Sequence, residues 1–198
     1  ISYTNLNVKI VASHGGLDTG PDGASAQCIE DLACFRSLPN FVVLSPCDSN
    51  EMFQAVKTIA KHKGPVYMRT GRSNVENKGK KICIISTGMQ SSIALKAIKK
   101  LKKISPTLIH MPTIKPIDKE LLIKMSKKHK VFITFEDHNI FGGLGSAVSE
   151  VLSENAPNKI IRMGIRDKIG KSGEAKELLK EYKIDGEALI NQVKKIYK

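Results

Sequence analysis

Short, almost wholly apolar runs alternate along this chain with longer stretches of helical period, and that alternation constrains the fold more than any single motif. Residues 8–12 (VKIVA), 41–44 (FVVL) and 66–70 (VYMRT) are the expected strands of the first part. Runs of this kind suit strands covered on both faces, as in parallel sheets, because neither side of the pleat has to meet water. Between them, residues 24–37 read as a helix in which Ile29, Leu32, Ala33 and Arg36 share a mostly apolar stripe. Asp48 and Glu51 have the spacing of an N-terminal capping box and open a second helix that runs to about Lys63.

A polar, glycine-bearing run at 71–80 (GRSNVENKGK) is the best boundary in the chain, and the alternation restarts after it. Further strands are expected at Ile82–Ser86, Thr107–His110, 131–135 and 160–163, with a Pro-punctuated loop through Pro112 and Pro116. Helices are expected at 90–103, from Asp118 to about Lys128, at 143–154, and at about 174–182 and 186–196. The reading is an α/β protein of two units, 1–77 and 78–198, each an open, mostly parallel sheet flanked by helices. Residues 1–77 supply only three strands and two helices, which leaves much apolar surface uncovered, so they read as part of a larger domain.

The chain's net charge of +13 falls entirely on residues 78–198, which carry 25 Lys or Arg against 12 Asp or Glu. Most of these bases are lysines at helix-surface spacing, such as Lys96, Lys99, Lys100, Lys102 and Lys103. Base stacking or groove readout would favour arginines, which are few here, and interleaved aromatics, which do not accompany the lysines, so solvated helix faces are expected rather than a nucleic-acid surface. No apolar run approaches the roughly 20 residues of a membrane span, and residues 1–5 lack the basic start and apolar core of a signal peptide. Cys28, Cys34, Cys47 and Cys83 form no C-x-x-C pair, and reduced, buried thiols in a cytoplasmic protein are expected.

The segment with the most chemistry is HGGLDTGPDGAS at 14–25, which joins a strand end to a helix start, where open α/β sheets bind ligands. Its glycines permit tight turns and close approach by a ligand. There His14 could bond a phosphate or exchange a proton, and Asp22 could accept a bond from a sugar hydroxyl. Helix capping by Asp22 and a backbone partner for His14 are the structural alternatives. FGGLGS at 141–146 departs from a dinucleotide loop, because Glu136 and its followers separate it from its strand and Val148 stands in for the third glycine. It reads as a tight turn packing a helix on the sheet. His138 and Asn139 just before it are candidates for a subunit contact.

Residues 6–72 resemble the pyrimidine-binding domain of transketolases, in the two-gene form whose halves are separate subunits. The matching pieces are NVKIVASHGGLDTGPDGAS, QCIEDLACFRSLPN, VVLSPCDSNE and GPVYMRTGRSN, in order and at matching spacing. ICIISTG, FEDHNIFGGLGSAVSEVL and EAKELLKEY resemble the C-terminal domain of the same enzymes. The resemblance implies thiamine-diphosphate-dependent transfer of a two-carbon ketol unit from a ketose phosphate to an aldose phosphate. It implies that His14 and Arg72 hold the sugar phosphate and that Asp22 contacts the hydroxyl beside the reacting carbonyl. A planar guanidinium suits a phosphate because it donates two bonds at once. Arg69 is a second cation nearby, expected to point elsewhere because it lies at odd spacing from Arg72.

Departures from the family pattern are also informative. Ala26 stands where many relatives have a histidine, and the linker at 71–80 is shorter than relatives usually have. The resemblance places the glutamate and aromatics that meet the aminopyrimidine upstream of Ile1. The Gly-Asp-Gly motif that holds the diphosphate and its Mg2+ does not occur. The expected partner is therefore an N-terminal transketolase subunit holding most of the cofactor, in a homodimer or heterotetramer acting on sugar phosphates, with no nucleic acid and no membrane. Two rivals remain: a 1-deoxyxylulose-5-phosphate synthase or the β subunit of a 2-oxo acid dehydrogenase, and a non-catalytic assembly module.

Overall fold

A computed structural model describes residues 1–17, 20–70, 82–101 and 104–197. In chain order the elements are β1 (Lys9–Ala12), a 3-10 turn (Gly20–Asp22), α1 (Asp31–Ser37), β2 (Val42–Leu44), α2 (Ser49–Lys61) and β3 (Val66–Arg69). Then follow β4 (Ile82–Ser86), α3 (Gln90–Lys99), β5 (Thr107–His110), β6 (Thr113–Lys115) and α4 (Lys119–Ser126). The last are β7 (Val131–Asn139), α5 (Leu144–Asn155), β8 (Lys159–Ile165), α6 (Ala175–Glu181) and α7 (Gly186–Tyr197). The expected α/β architecture of two mostly parallel sheets is present: one in the order β1-β3-β2-β6, the other β5-β4-β7-β8.

The second sheet is parallel throughout and the first has one antiparallel member. That member is β6, which lies inside the expected Pro-punctuated loop and pairs with β2 of the first half. The first half is thus not limited to its own three strands. A strand of the second half completes the edge, and Lys115 Nζ donates to the carbonyls of Arg36 and Leu38 beside it. One apolar core contains Leu32, Phe41, Val43 and Tyr67 together with Cys83, Ile85, Phe132 and Leu152, so the two halves share an interior. A second core gathers Ile84, Ile133 and Phe135 with α3 and α7, and it takes in Leu17 and Ile29 from the first half.

Asp48 forms the expected N-cap, while the returning Glu51 bond goes one residue earlier, to Cys47 rather than to Asp48 itself. Asp48 Oδ1 accepts from Glu51 N–H at 2.7 Å, and Glu51 Oε2 accepts from Cys47 N–H at 2.7 Å. Such a cap stabilises a helix by about 1 kcal/mol. The expected helix at 24–37 is shorter, beginning only at Asp31. Residues 23–28 are held instead by tertiary partners: Gly16 N–H donates to Cys28 O at 2.7 Å and Gln27 Nε2 donates to Lys171 O at 2.9 Å. The first of these bonds takes up a backbone carbonyl that a helix would have used internally.

All four cysteines are free, and the expectation of buried thiols holds for Cys47 and Cys83 only. Cys28 and Cys34 are exposed, Cys34 because it lies off the inward stripe of Ile29 and Leu32. Among the described residues, no helix is long and apolar enough to cross a membrane.

Candidate functional site

The loop after β1 holds two of the expected site residues at the surface. His14 is exposed, adopts a positive φ of 66°, and has Ser13 Oγ 2.6 Å from its Nδ1. A left-handed backbone at a histidine is sterically unfavourable and persists only where the surroundings impose it. Asp22, in the 3-10 turn, is exposed as well. It does not cap α1, whose N-cap is Glu30, and no hydrogen bond joins it to His14. Arg72 and the boundary candidate at 71–80 lie outside the described residues.

What imposes the loop's shape lies directly beneath it. Arg69, at the end of β3, is 7% exposed, and its guanidinium lies between two buried carboxylates. Its Nη1 is 3.3 Å from Asp31 Oδ1, while Nη2 donates to Asp137 O at 2.8 Å and lies 3.7 Å from Asp137 Oδ2. Tyr67 Oη donates to Asp31 Oδ2 at 2.6 Å. Asp137 in turn accepts from Leu17 N–H at 3.0 Å, which pins the loop to β7. Gly15 and Gly16 are needed for this packing. A Cβ on Gly15 would fall 2.2 Å from Arg69 Nε, and one on Gly16 would fall 2.1 Å from Asp137 Oδ2. The close approach foreseen for these glycines is made by the protein's own side chains.

β7 extends past the expected 131–135 to Asn139, and its polar end is interior. Glu136 is fully buried and accepts from Leu144 N–H at 2.7 Å and Gly145 N–H at 2.8 Å, capping α5 from below. Burial pushes its carboxyl up to about 7, against the pull of those two N–H groups. His138, expected at a subunit contact, is instead sealed: its side chain is 0% exposed. Its Nδ1–H donates to Asn139 O at 2.7 Å and its Nε2 accepts from Ala33 N–H. Burial, and then the nearby Arg69 charge, lower it to about 4, so the ring is neutral near pH 7. The glycine turn behaves as expected, with Arg36 Nη1 donating to the Gly142 and Gly143 carbonyls and Glu150 pairing with the same guanidinium.

A cavity of about 20 Å³ lies under the loop, lined among others by Gly15, Arg69, Thr87 and Asp137. It has room for about one water and none for a sugar phosphate. His14 and Asp22 are exposed and do not line this cavity. The sequence reading missed Asp31, Asp137 and His138 as interior groups. The available signals were an arginine ending the apolar run VYMR and the polar EDH that directly continues the apolar FITF.

Comparison with known proteins gives this arrangement a family. Residues 1–78 match the family model of the transketolase pyrimidine-binding domain, and residues 71–189 match that of the transketolase C-terminal domain. A Methanocaldococcus jannaschii protein, provisionally described as a transketolase C-terminal section, is 44% identical over 98% of this chain and 67% of its own length. A 1-deoxy-D-xylulose-5-phosphate synthase from Caldanaerobacter subterraneus is 30% identical over the whole chain but only 35% of its own length. A solved split-gene transketolase, described as an inactive β4 tetramer, superposes with a TM-score of 0.88 at 38% identity, covering 98% of this chain and 68% of that one. The chain thus spans about two thirds of its shorter relatives and about a third of the synthase. With both halves matched in order and nearly every residue aligned, this chain belongs to the transketolase family.

Proposed function

We propose that this chain is the substrate-positioning subunit of a split, cytoplasmic transketolase, which moves a two-carbon ketol unit from a ketose phosphate to an aldose phosphate. The observation that carries the reading is the strand-end loop. Its base is fixed by Arg69 and Asp137, and it presents His14 in a strained backbone conformation at the surface. His14 bonds the substrate phosphate or a hydroxyl, Asp22 accepts from the hydroxyl beside the reacting carbonyl, and Arg72 grips the phosphate with two parallel N–H bonds. Holding both sugars in one orientation is this subunit's contribution to rate.

Thiamine diphosphate, when bound, supplies the electron sink for breaking and forming the carbon–carbon bond. The described residues do not assemble a site for its diphosphate and Mg2+. The three-ligand cluster among them, Cys47, Glu51 and His110, contains one carboxylate, and the sequence has no Gly-Asp-Gly. The cofactor and metal therefore sit mainly on an N-terminal partner subunit, across an interface in a heterotetramer.

The test is reconstitution of the natural full-length chain with its N-terminal partner, thiamine diphosphate and Mg2+. Ketol transfer from xylulose 5-phosphate to ribose 5-phosphate is the expected activity. Turnover only with pyruvate and glyceraldehyde 3-phosphate would reassign the chain to the synthase branch. No turnover with either pair would return it to an assembly role.

A further inference from the structure

Away from the strand-end loop, a second constellation lies where the two sheets meet. Cys47 closes the turn after β2, Glu51 lies in the first turn of α2, and His110 ends β5 of the second half. The Cys47 Sγ, a Glu51 carboxylate oxygen and a His110 ring nitrogen all lie within 4.8 Å of one another, and Glu51 Oε2 is 2.7 Å from His110 Nε2. The turn after β2, the first turn of α2 and the end of β5 thus deliver a sulfur, an oxygen and a nitrogen to one point.

We propose that Cys47, Glu51 and His110 form a binding site for a thiophilic divalent cation, Zn2+ by the nature of the donors, clamping the first half to the second. A mixed thiolate, carboxylate and imidazole set is borderline-soft, which suits Zn2+ and disfavours Mg2+ or Ca2+. Tetrahedral Zn2+ at ordinary bond lengths would hold its oxygen and nitrogen ligands about 3.3 Å apart, and its sulfur about 3.6 Å from either. Reaching that geometry from the observed cluster takes movements of about an ångström, within side-chain reach.

The surroundings are those of a prepared ligand set. His110 Nδ1 is 2.7 Å from Ser91 Oγ, which is 2.7 Å from Ser86 Oγ, so the ring is oriented from behind and its Nε2 is aimed at Glu51. An outer bond of this kind on the non-ligating nitrogen is the usual device for fixing a histidine ligand. Cys47 is 4% exposed, whereas the His110 and Glu51 side chains keep 16% and 28% of their surface, which leaves an entry path and a fourth position for water. Asp48 Oδ2, 3.7 Å from Cys47 Sγ, adds negative charge outside the ligand set. Loading the cation breaks the S–H bond of Cys47 and releases that proton to solvent. His110 binds as the neutral ring, through its Nε2 lone pair, with its single N–H on Nδ1 facing Ser91 Oγ. No oxidation state changes.

The proposal is independent of the enzyme assignment, because it concerns three side chains that the substrate reading does not use. The test is titration of the chelator-treated, full-length protein with Co2+ and then Zn2+. Co2+ is expected to bind one per chain with a thiolate-to-metal charge-transfer band, and Zn2+ is expected to displace it and raise the melting temperature. Cys47→Ser and His110→Gln should each weaken binding at least tenfold, Cys47→Ser also abolishing the band, while Cys28→Ser and Cys34→Ser leave both unchanged. A band that survives Cys47→Ser, or binding without any thiolate band, would overturn the assignment even if both variants fold and the enzyme is active.

Discussion

Arg69 and Asp137 meet across the junction of the two halves, the guanidinium donating to the Asp137 carbonyl at 2.8 Å and lying 3.7 Å from its carboxylate. With Asp31 on the other side, one cation lies between two anions, all at most 7% exposed. Removing the cation alone strands two buried charges. Arg69→Met should therefore cost about 3–5 kcal/mol, far more than its lost packing. Urea denaturation of Arg69→Met, Asp31→Asn and the double variant checks this. The double variant should be less destabilised than the sum of the singles, because each partner's removal relieves the other.

Gly16 at this junction and Gly173 ahead of α6 should differ sharply in tolerance. Gly16 has a φ of 76°, and a methyl there would fall 2.1 Å from Asp137 Oδ2 and 2.2 Å from Arg69 Nη2. Gly16→Ala should lose at least about 2 kcal/mol, since the left-handed conformation alone costs about 1–2 for an L-residue. At Gly173 the nearest neighbour is the flexible tip of Leu178 at 3.3 Å, with no positive φ. Gly173→Ala should stay within about 1 kcal/mol of the parent, because the unfolded chain also loses freedom. Melting temperatures of the two variants would show the contrast, and equal losses would contradict it.

Much of this was legible in the sequence, for reasons that particular elements make plain. Ile82–Ser86 and α2 were readable because their signals are local: an apolar run in one case, and the Asp48–Glu51 capping spacing in the other. β6 was not, since three residues between prolines become a strand only by pairing with β2, some 70 positions earlier. The missing start of α1 has the same cause, because Gln27 and Cys28 bond to partners far along the chain or across the loop. His14 and Asp22 stood out as polar residues in a glycine loop at a strand end, and the family resemblance assigned them the roles proposed above. Asp137 and His138 were hidden because polar residues after an apolar strand usually mean solvent, and here they mean an interior neutralised by Arg69 or kept uncharged by burial.

Substitution at His14 tests the proposed substrate role apart from folding. His14 is exposed and its one side-chain partner among the described residues is its neighbour Ser13, so His14→Ala should leave stability within about 0.5 kcal/mol, since alanine meets the same left-handed backbone. In the reconstituted enzyme the same change should raise KM for the sugar phosphate at least tenfold. Unchanged kinetics would remove His14 from the substrate site. A cooperative loss of structure would show that the residue serves the loop instead.

Thiol chemistry offers an inexpensive check of the packing. Cys28 and Cys34 are exposed, and Cys47 and Cys83 are buried. A disulfide-exchange reagent should modify two thiols in the native protein and four after denaturation. Cys34 should react before Cys28, whose thiol is pushed up by partial burial and then by the Asp31 charge, leaving less thiolate. Cys83 should be among the last, since burial raises it to about 12 inside β4.

Glu136 and His138 set up an opposed pH dependence. Burial raises the Glu136 carboxyl from its ordinary 4.5 to about 7. Its contribution to stability is thus full below about pH 4.5 and is lost as pH rises through 7. Burial and Arg69 lower His138 from 6.5 to about 4, so its contribution is full above about pH 6.5 and is lost as pH falls through 4. Each displacement corresponds to about 3 kcal/mol, and the two slopes run in opposite directions over nearly the same range. In the folded protein both groups are neutral between about pH 4 and 7, whereas the unfolded chain carries a charge on each, so the proton counts match and the pair adds little slope. Removing one member should expose the other. Relative to the parent, His138→Gln should gain stability as pH falls from 6.5 to 4, by about the same 3 kcal/mol. Glu136→Gln should gain relative stability as pH rises from 4.5 to 7, whatever offset the altered cap of α5 adds. Urea midpoints of the three proteins across this range read the slopes directly, and parallel profiles would show that neither group is held neutral by its burial.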